Sequence, residues 1–182
     1  MTDFSKAYKK KASNMLQKIL VAVDDSKMSR DVFEHALMLA QATKASLGLL
    51  YVTDPDATGD SDLPLHLSDR KPYLDEGEPE PRCFVGHFEG VEKSLFGIYV
   101  EQANALGVST ECVHCFGDPE QAICDFASVW EADLLVMGRR GRSGVAEFFL
   151  GSVSNYVVHH APCSVCVVHA PSLKPIQSQP IS

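Results

Sequence analysis

The segment from Met137 to Asn155, MGRRGRSGVAEFFLGSVSN, places Gly138, Gly141 and Gly144 early, then a Gly151-Ser152 pair where a helical pattern begins. Glycine lets the backbone approach a bulky anion and permits positive φ. The N–H groups that open a helix, aided by its dipole, form an anion site. Ser152 and Ser154 add hydroxyl donors, and Arg139, Arg140 and Arg142 add positive charge. Phosphate binding is the chemistry this pattern suits; a surface turn without a ligand is the alternative. The spacing is neither GxxxxGK[ST] nor a GxGxxG after the first strand, which disfavours a Walker-type NTPase and a dinucleotide-dependent dehydrogenase.

A second group of candidates is Asp24-Asp25, at the end of the run KILVAVD. These carboxylates could hold Mg²⁺ through water, or Asp24 could simply cap a helix. Four of the six cysteines form CxxC spacings, Cys112/Cys115 and Cys163/Cys166. Both pairs fall in β-branched runs, and residues i and i+3 of a strand point to opposite faces, so one metal could not be gripped by both. We read them as buried core thiols, in keeping with a reducing cytosol. Cys83 reads as an incidental exposed cysteine, with a sensor thiol as the alternative. His159 and His160 suit the last turn of a helix better than a metal pair.

The elements that position these residues alternate. Residues 18–24, 45–52, 108–115, 134–137 and 163–169 are short apolar, β-branched runs that suit strands buried on both faces. Between them, Val32, Ala36, Leu39 and Thr43 recur at helical spacing after Asp25 and Ser26, which can cap. Phe88, Val91, Leu95 and Ile98 form a second stripe that Gly107 can end. Asp118-Pro119 opens a third helix through Ile123 and Phe126 toward Trp130, and a fourth runs from Ser152 to His160 until Ala161-Pro162. The order β-α-β-α-β-α-β-α-β predicts a doubly wound five-stranded parallel sheet, Rossmann-like, in three α/β/α layers. Such folds bind ligands outside the carboxyl ends of the strands where strand order reverses, here beside the first and fourth strands.

Residues 54–86 break this rhythm with five of the ten prolines and nine acidic residues against three basic ones. They read as a long acidic, Pro-rich loop or partly disordered insertion in a domain spanning 18–169, with local structure around LPLHLSDR as an alternative. Residues 1–17 form a basic arm, with Lys6, Lys9, Lys10 and Lys11, and the Pro/Ser/Gln-rich tail 170–182 reads as disordered. The 182 residues fit one domain, and 45% apolar against 22% charged residues suits a packed core. A net charge of −8 argues against broad nucleic-acid binding. No apolar run is long enough to span a bilayer and no signal-peptide core follows the lysines, so a cytoplasmic protein is expected.

The run Gly138–Ser152 matches G-x2-G-x9-G-[ST], and with KILVAVDDS, LLYV, GDPEQAI and ADLLVMGRRG through PCSVCVV the chain resembles the universal stress protein family. The resemblance covers about 18–53 and 87–169 and implies a doubly wound, usually dimeric fold that binds ATP. By that resemblance Ala22, Val23 and Asp24 line a nucleoside pocket, Asp24 toward ribose and Val52 toward adenine. Met137 and Gly138 flank the nucleoside, and Arg140, Gly141, Gly151, Ser152, Val153 and Ser154 hold the phosphates. A homodimer through the last strand, Cys163–Val168, is expected. The implied function is a nucleotide-dependent regulatory or stress-response module. The alternative is a slow ATPase or a nucleotidyl- or phosphoryl-transfer enzyme, for which the sequence offers no evident general base.

Overall fold

The computed structural model describes residues 16–54, 67–73, 83–88, 95–139 and 150–169. Five strands carry the parallel core: β1 (Lys18–Ala22), β2 (Ser46–Thr53), β5 (Thr110–Phe116), β6 (Leu134–Gly138) and β7 (Ser164–Val168). Their apolar runs have no polar alternation because helices cover both faces. Helices α1 (Ser29–Thr43) and α2 (Leu95–Ala105) pack with one core, containing Val21, Phe33, Leu49 and Phe96. Helices α3 (Pro119–Val129) and α4 (Ser152–His160) pack with the other, containing Leu20, Leu50, Phe126 and Leu135.

The expected three-layer, Rossmann-like α/β/α architecture is therefore present, but the sheet is wider than expected. Two further strands, β3 (Leu67–Tyr73) and β4 (Cys83–Phe88), arise inside the segment read as a loop. Among the described residues the order is β3-β4-β5-β2-β1-β6-β7, with β3–β4 and β4–β5 antiparallel and the rest parallel. The loop reading is corrected at 67–73 and 83–86, where an antiparallel strand pair extends the sheet beyond β5; residues 55–66 and 74–82 lie outside the described residues. Pro72 argues against a strand, but β3 is an edge strand, where a missing N–H is tolerated. Phe88, placed by its periodicity on a helical stripe, instead lies in β4. The arm before residue 16, the tail from 170, and Val91 lie outside the described residues.

Local chemistry explains where the helices start and stop. Asp118 accepts from the N–H groups of Glu120 (2.9 Å) and Gln121 (3.4 Å), with Pro119 in the first helical position, as the sequence suggests. Gly107 follows α2 with φ of +71°, a conformation glycine adopts without strain. At α1 the expected cap is not made: the N-cap position is Met28, whose side chain makes no capping bond. Phe33 and Tyr99 stack at 4.2 Å and tie α1 to α2. No helix among the described residues is long and apolar enough to cross a membrane.

Candidate functional site

Strand order reverses at β1, which pairs with β2 on one side and β6 on the other. The carboxyl ends of these strands bring the expected residues to one edge of the sheet. Ala22 sits opposite Met137 in the β1–β6 register, and Val52 opposite Cys115 in the β2–β5 register. Side chains of Ala22, Val52, Met137 and Val153 all pack with the core under α3 and α4, so they share a face. Val23 points the other way, into the core under α1 and α2, and its N–H donates to the Leu50 carbonyl at 3.0 Å. Its contribution to the crevice is limited to the main chain.

Asp24 is fixed by its surroundings rather than by a helix cap. Its N–H donates to Ser29 Oγ at 2.9 Å, and the Ser29 hydroxyl donates to Asp24 Oδ1 at 2.7 Å. The N–H of Ser26 donates to the same oxygen at 3.0 Å. Ser29 is 2% exposed, so this reciprocal pair is sheltered from water. Among the described residues Oδ2 accepts no hydrogen bond, and it remains available to a ligand hydroxyl. Sequence reasoning missed Ser29, because a serine five positions after a carboxylate belongs to no recognisable motif.

The glycine-rich turn closes at its base. Arg139 N–H donates to the Val168 carbonyl (3.0 Å), which carries the β6–β7 ladder one step past the strands. Gly151 N–H donates to the Arg139 carbonyl (2.9 Å), so the two ends of the turn meet at the start of α4. Asn155 N–H closes the first helical turn on the Gly151 carbonyl (2.9 Å). The N–H groups of Ser152, Val153 and Ser154 precede that bond and have no intrahelical acceptor, by the geometry of any α-helix. Gly151 is the N-cap with φ of −63°, an extended conformation open to any residue. Ser154 is 2% exposed, and its hydroxyl lies 2.7 Å from the Arg139 carbonyl and 3.1 Å from that of Gly151. A hydroxyl with one proton, already directed at these carbonyls, secures the turn and is a poor phosphate donor. Arg140 and Gly141 lie outside the described residues. Gly138 is half-buried and Ser152 exposed.

The thiols divide by face as expected, Cys112 and Cys166 with the α1–α2 core and Cys163 with the α3–α4 core. Burial pushes the Cys112 thiol up to about 12 and raises Cys124 and Cys163 as well. Two of the six cysteines are not free thiols: Cys83 and Cys115 form a disulfide, with Cα atoms 4.1 Å apart in the β4–β5 register. This corrects the readings of Cys115 as a free thiol and of Cys83 as an incidental exposed one; Cys83 is half-buried and Cys115 fully buried. The pairing depends on the hairpin, which the sequence did not reveal. His160 Nδ1 lies 2.8 Å from the Tyr156 carbonyl, and its ring stacks on Tyr156 at 3.9 Å, an arrangement of the helix end.

The same fold recurs in known proteins. The sequence profile described as "Universal stress protein family" matches residues 15–169. Universal stress protein Sll1388 of Synechocystis is 36% identical over 159 residues, covering 83% of this chain and 96% of the relative. A universal stress protein solved in complex with cAMP superposes with a TM-score of 0.56 at 24% identity, over 85% of this chain and 97% of that one. An Arabidopsis thaliana family member solved with AMP bound gives a TM-score of 0.54 at 22% identity, over 89% of this chain and 97% of its own. The chain belongs to the universal stress protein family.

Proposed function

We propose that this chain is an adenine-nucleotide-binding regulatory module that takes ATP at the carboxyl ends of β1, β2 and β6. The observation that carries this reading is the closed base of the glycine-rich turn. Arg139 and Gly151 are bonded to each other at the N-terminus of α4, beside the strand reversal. Asp24 Oδ2 accepts from a ribose hydroxyl, while Val52 with Ala22 and Met137 forms an apolar wall for adenine. Gly138 lets the backbone pass close to the nucleoside. The phosphates lie on the first N–H groups of α4, at Ser152, Val153 and Ser154, with the Ser152 hydroxyl and with Arg140 and Gly141, while Gly151, whose N–H is taken by the Arg139 carbonyl, gives them room to approach. Ser154 takes part through its main chain. Two relatives of the same fold were solved with AMP and with cAMP, which supports the ligand class.

Regulation fits better than rapid hydrolysis. Asp24 Oδ1 is engaged by Ser26 and Ser29, so the carboxylate is built to hold a position rather than to move a proton. A nucleotide that binds one state of the domain better than another shifts their populations, and nothing more is needed for signalling. A second copy pairs through β7, the edge strand at the far side of the sheet from the hairpin. Chromatography of the supernatant from acid-denatured purified protein identifies any retained nucleotide. Calorimetry with ATP, ADP, AMP and cAMP then ranks them. Gly151→Val keeps its backbone conformation but places two methyl groups where the phosphate approaches. It is expected to fold normally and to bind ATP at least about tenfold more weakly, a loss of about 1.4 kcal/mol. Unchanged affinity in folded Gly151→Val refutes the site.

A further inference from the structure

The hairpin and the candidate pocket meet along one row of the sheet. Cys83 of β4 lies opposite Cys115 of β5, and Cys115 lies opposite Val52 of β2. All three side chains fall on the α3–α4 face, where the adenine wall is placed. We propose that the Cys83–Cys115 disulfide is a thiol-responsive clasp that fixes the hairpin against β5 and thereby sets the affinity of the adjoining nucleotide pocket.

Strand β4 lies at the margin of the two cores. Residues 83–86 of β4 are all half-buried, whereas Val113, His114 and Cys115 of β5 are buried. On the opposite face Phe84 meets Phe116 edge-on at 6.1 Å. An antiparallel ladder from Cys83 to Gly86 and the packing of Phe84 and Val85 against the two cores add to the hold. The bond is reachable from one side, since Cys83 is half-buried and Cys115 is 0% exposed. The thiolate of a low-molecular-weight thiol attacks Cys83 Sγ. The S–S bond breaks, Cys115 leaves as thiolate and takes a proton from water, and a mixed disulfide remains on Cys83. A second thiol attacks that mixed disulfide, releases the Cys83 thiol and departs as the symmetrical disulfide. Two thiols are oxidised and one protein disulfide is reduced. Reduction frees β4 to separate from β5, and the strand behind Val52 loses its covalent brace.

The affinity half of this inference rests on the nucleotide reading, and the experiment separates the two. The full chain is incubated with reduced or with oxidised glutathione. Three quantities are read: free thiols after denaturation, hydrogen exchange of the 83–88 and 110–116 amides, and ATP affinity by calorimetry. The oxidised form is expected to show four free thiols, the six cysteines less the bonded pair. The reduced form shows six, exchanges its 83–88 amides at least about tenfold faster and binds ATP at least about fivefold more weakly. Cys83→Ser reproduces the reduced state and no longer responds to glutathione. Cys163→Ser, which leaves the clasp intact, responds as the unmodified chain does. Equal exchange in the two forms, or six thiols persisting in oxidised glutathione, overturns the clasp. Equal and measurable ATP affinity in both forms overturns its coupling to the pocket while the nucleotide reading stands. If neither form binds any adenine nucleotide, the nucleotide reading falls and the coupling falls with it. Amide exchange then decides by itself whether the clasp exists.

Discussion

Truncating Ser154 to alanine separates two roles that the same residue could play. Its hydroxyl proton can serve one acceptor at a time, and the Arg139 carbonyl at 2.7 Å is the shorter of its two contacts. That carbonyl also receives the Gly151 N–H at 2.9 Å, and the Gly151 carbonyl also receives the Asn155 N–H at 2.9 Å. Neither acceptor is orphaned when the hydroxyl is removed. The cost is therefore the net value of one buried hydrogen bond, about 1 kcal/mol, without the added penalty of a stranded polar group. Urea unfolding of Ser154→Ala should show a loss of that size at an unchanged slope. Nucleotide affinity should fall by less than about fivefold, the factor corresponding to about 1 kcal/mol, because the turn loosens while the helix N–H groups persist. An affinity loss above about thirtyfold at unchanged stability would show that the hydroxyl touches phosphate, and the scaffold role would be wrong.

Assembly, the core and the response to pH are open to similar tests. β7 lies at a sheet edge with Val165 and Val167 only half-buried, so the unmodified chain should scatter light as a dimer and Val167→Lys as a monomer; an unmodified monomer refutes pairing through β7. The Tyr99 hydroxyl is buried with no hydrogen-bond partner among the described residues, so Tyr99→Phe should be at least as stable as the unmodified chain in urea. A loss above about 1 kcal/mol in that variant would reveal a partner for the hydroxyl. Burial holds the Cys112 thiol at about 12 against its ordinary 9.0, so the folded state keeps a proton that the unfolded state gives up. Stability contributed by that thiol is complete below pH 9 and declines by about 1.4 kcal/mol per pH unit toward pH 12. Tyr99, raised to about 12 chiefly by burial, adds the same sign above pH 10. Unfolding measured from about pH 8 to 11 should be less steeply dependent on pH in Cys112→Ala, and an unchanged dependence refutes the assignment.

The parallel core was legible because its signals are local. Runs such as KILVA and LLVMG are too short and too uniformly apolar for surface helices, and the helical stripes between them fix the alternation. Asp118 and Gly107 were legible for the same reason, since a cap or a left-handed terminator acts within a few residues. The hairpin was hidden by composition. Proline and acidic residues around CFVGHF outweighed its aromatic and β-branched character, and only a place at the sheet edge makes Pro72 acceptable. The disulfide joins residues 32 apart, and their meeting depends on that unseen register. For the candidate site, strand order pointed to Asp24 and the glycine-rich turn, and the family resemblance added Ala22, Val52 and Met137, which the structure places at the carboxyl ends of neighbouring strands. Neither showed that Ser29 holds Asp24 or that Ser154 faces a carbonyl, because both depend on the direction of a side chain in the folded chain.

The place of β1 in the middle of the five parallel strands also has a meaning during synthesis. Ile19 pairs with Leu134, a partner 115 residues further along the chain. At about 5–20 residues per second, a ribosome takes roughly 6–23 s to deliver that partner after Ile19. Throughout that interval one edge of an apolar strand in the nascent chain lacks its neighbour, an opening that a chaperone or a second nascent chain can occupy. The waiting ends at Asp133, translated one residue ahead of β6. Its carboxylate takes the N–H groups of Gln17 and Lys18, at 2.7 and 2.9 Å, at the foot of β1.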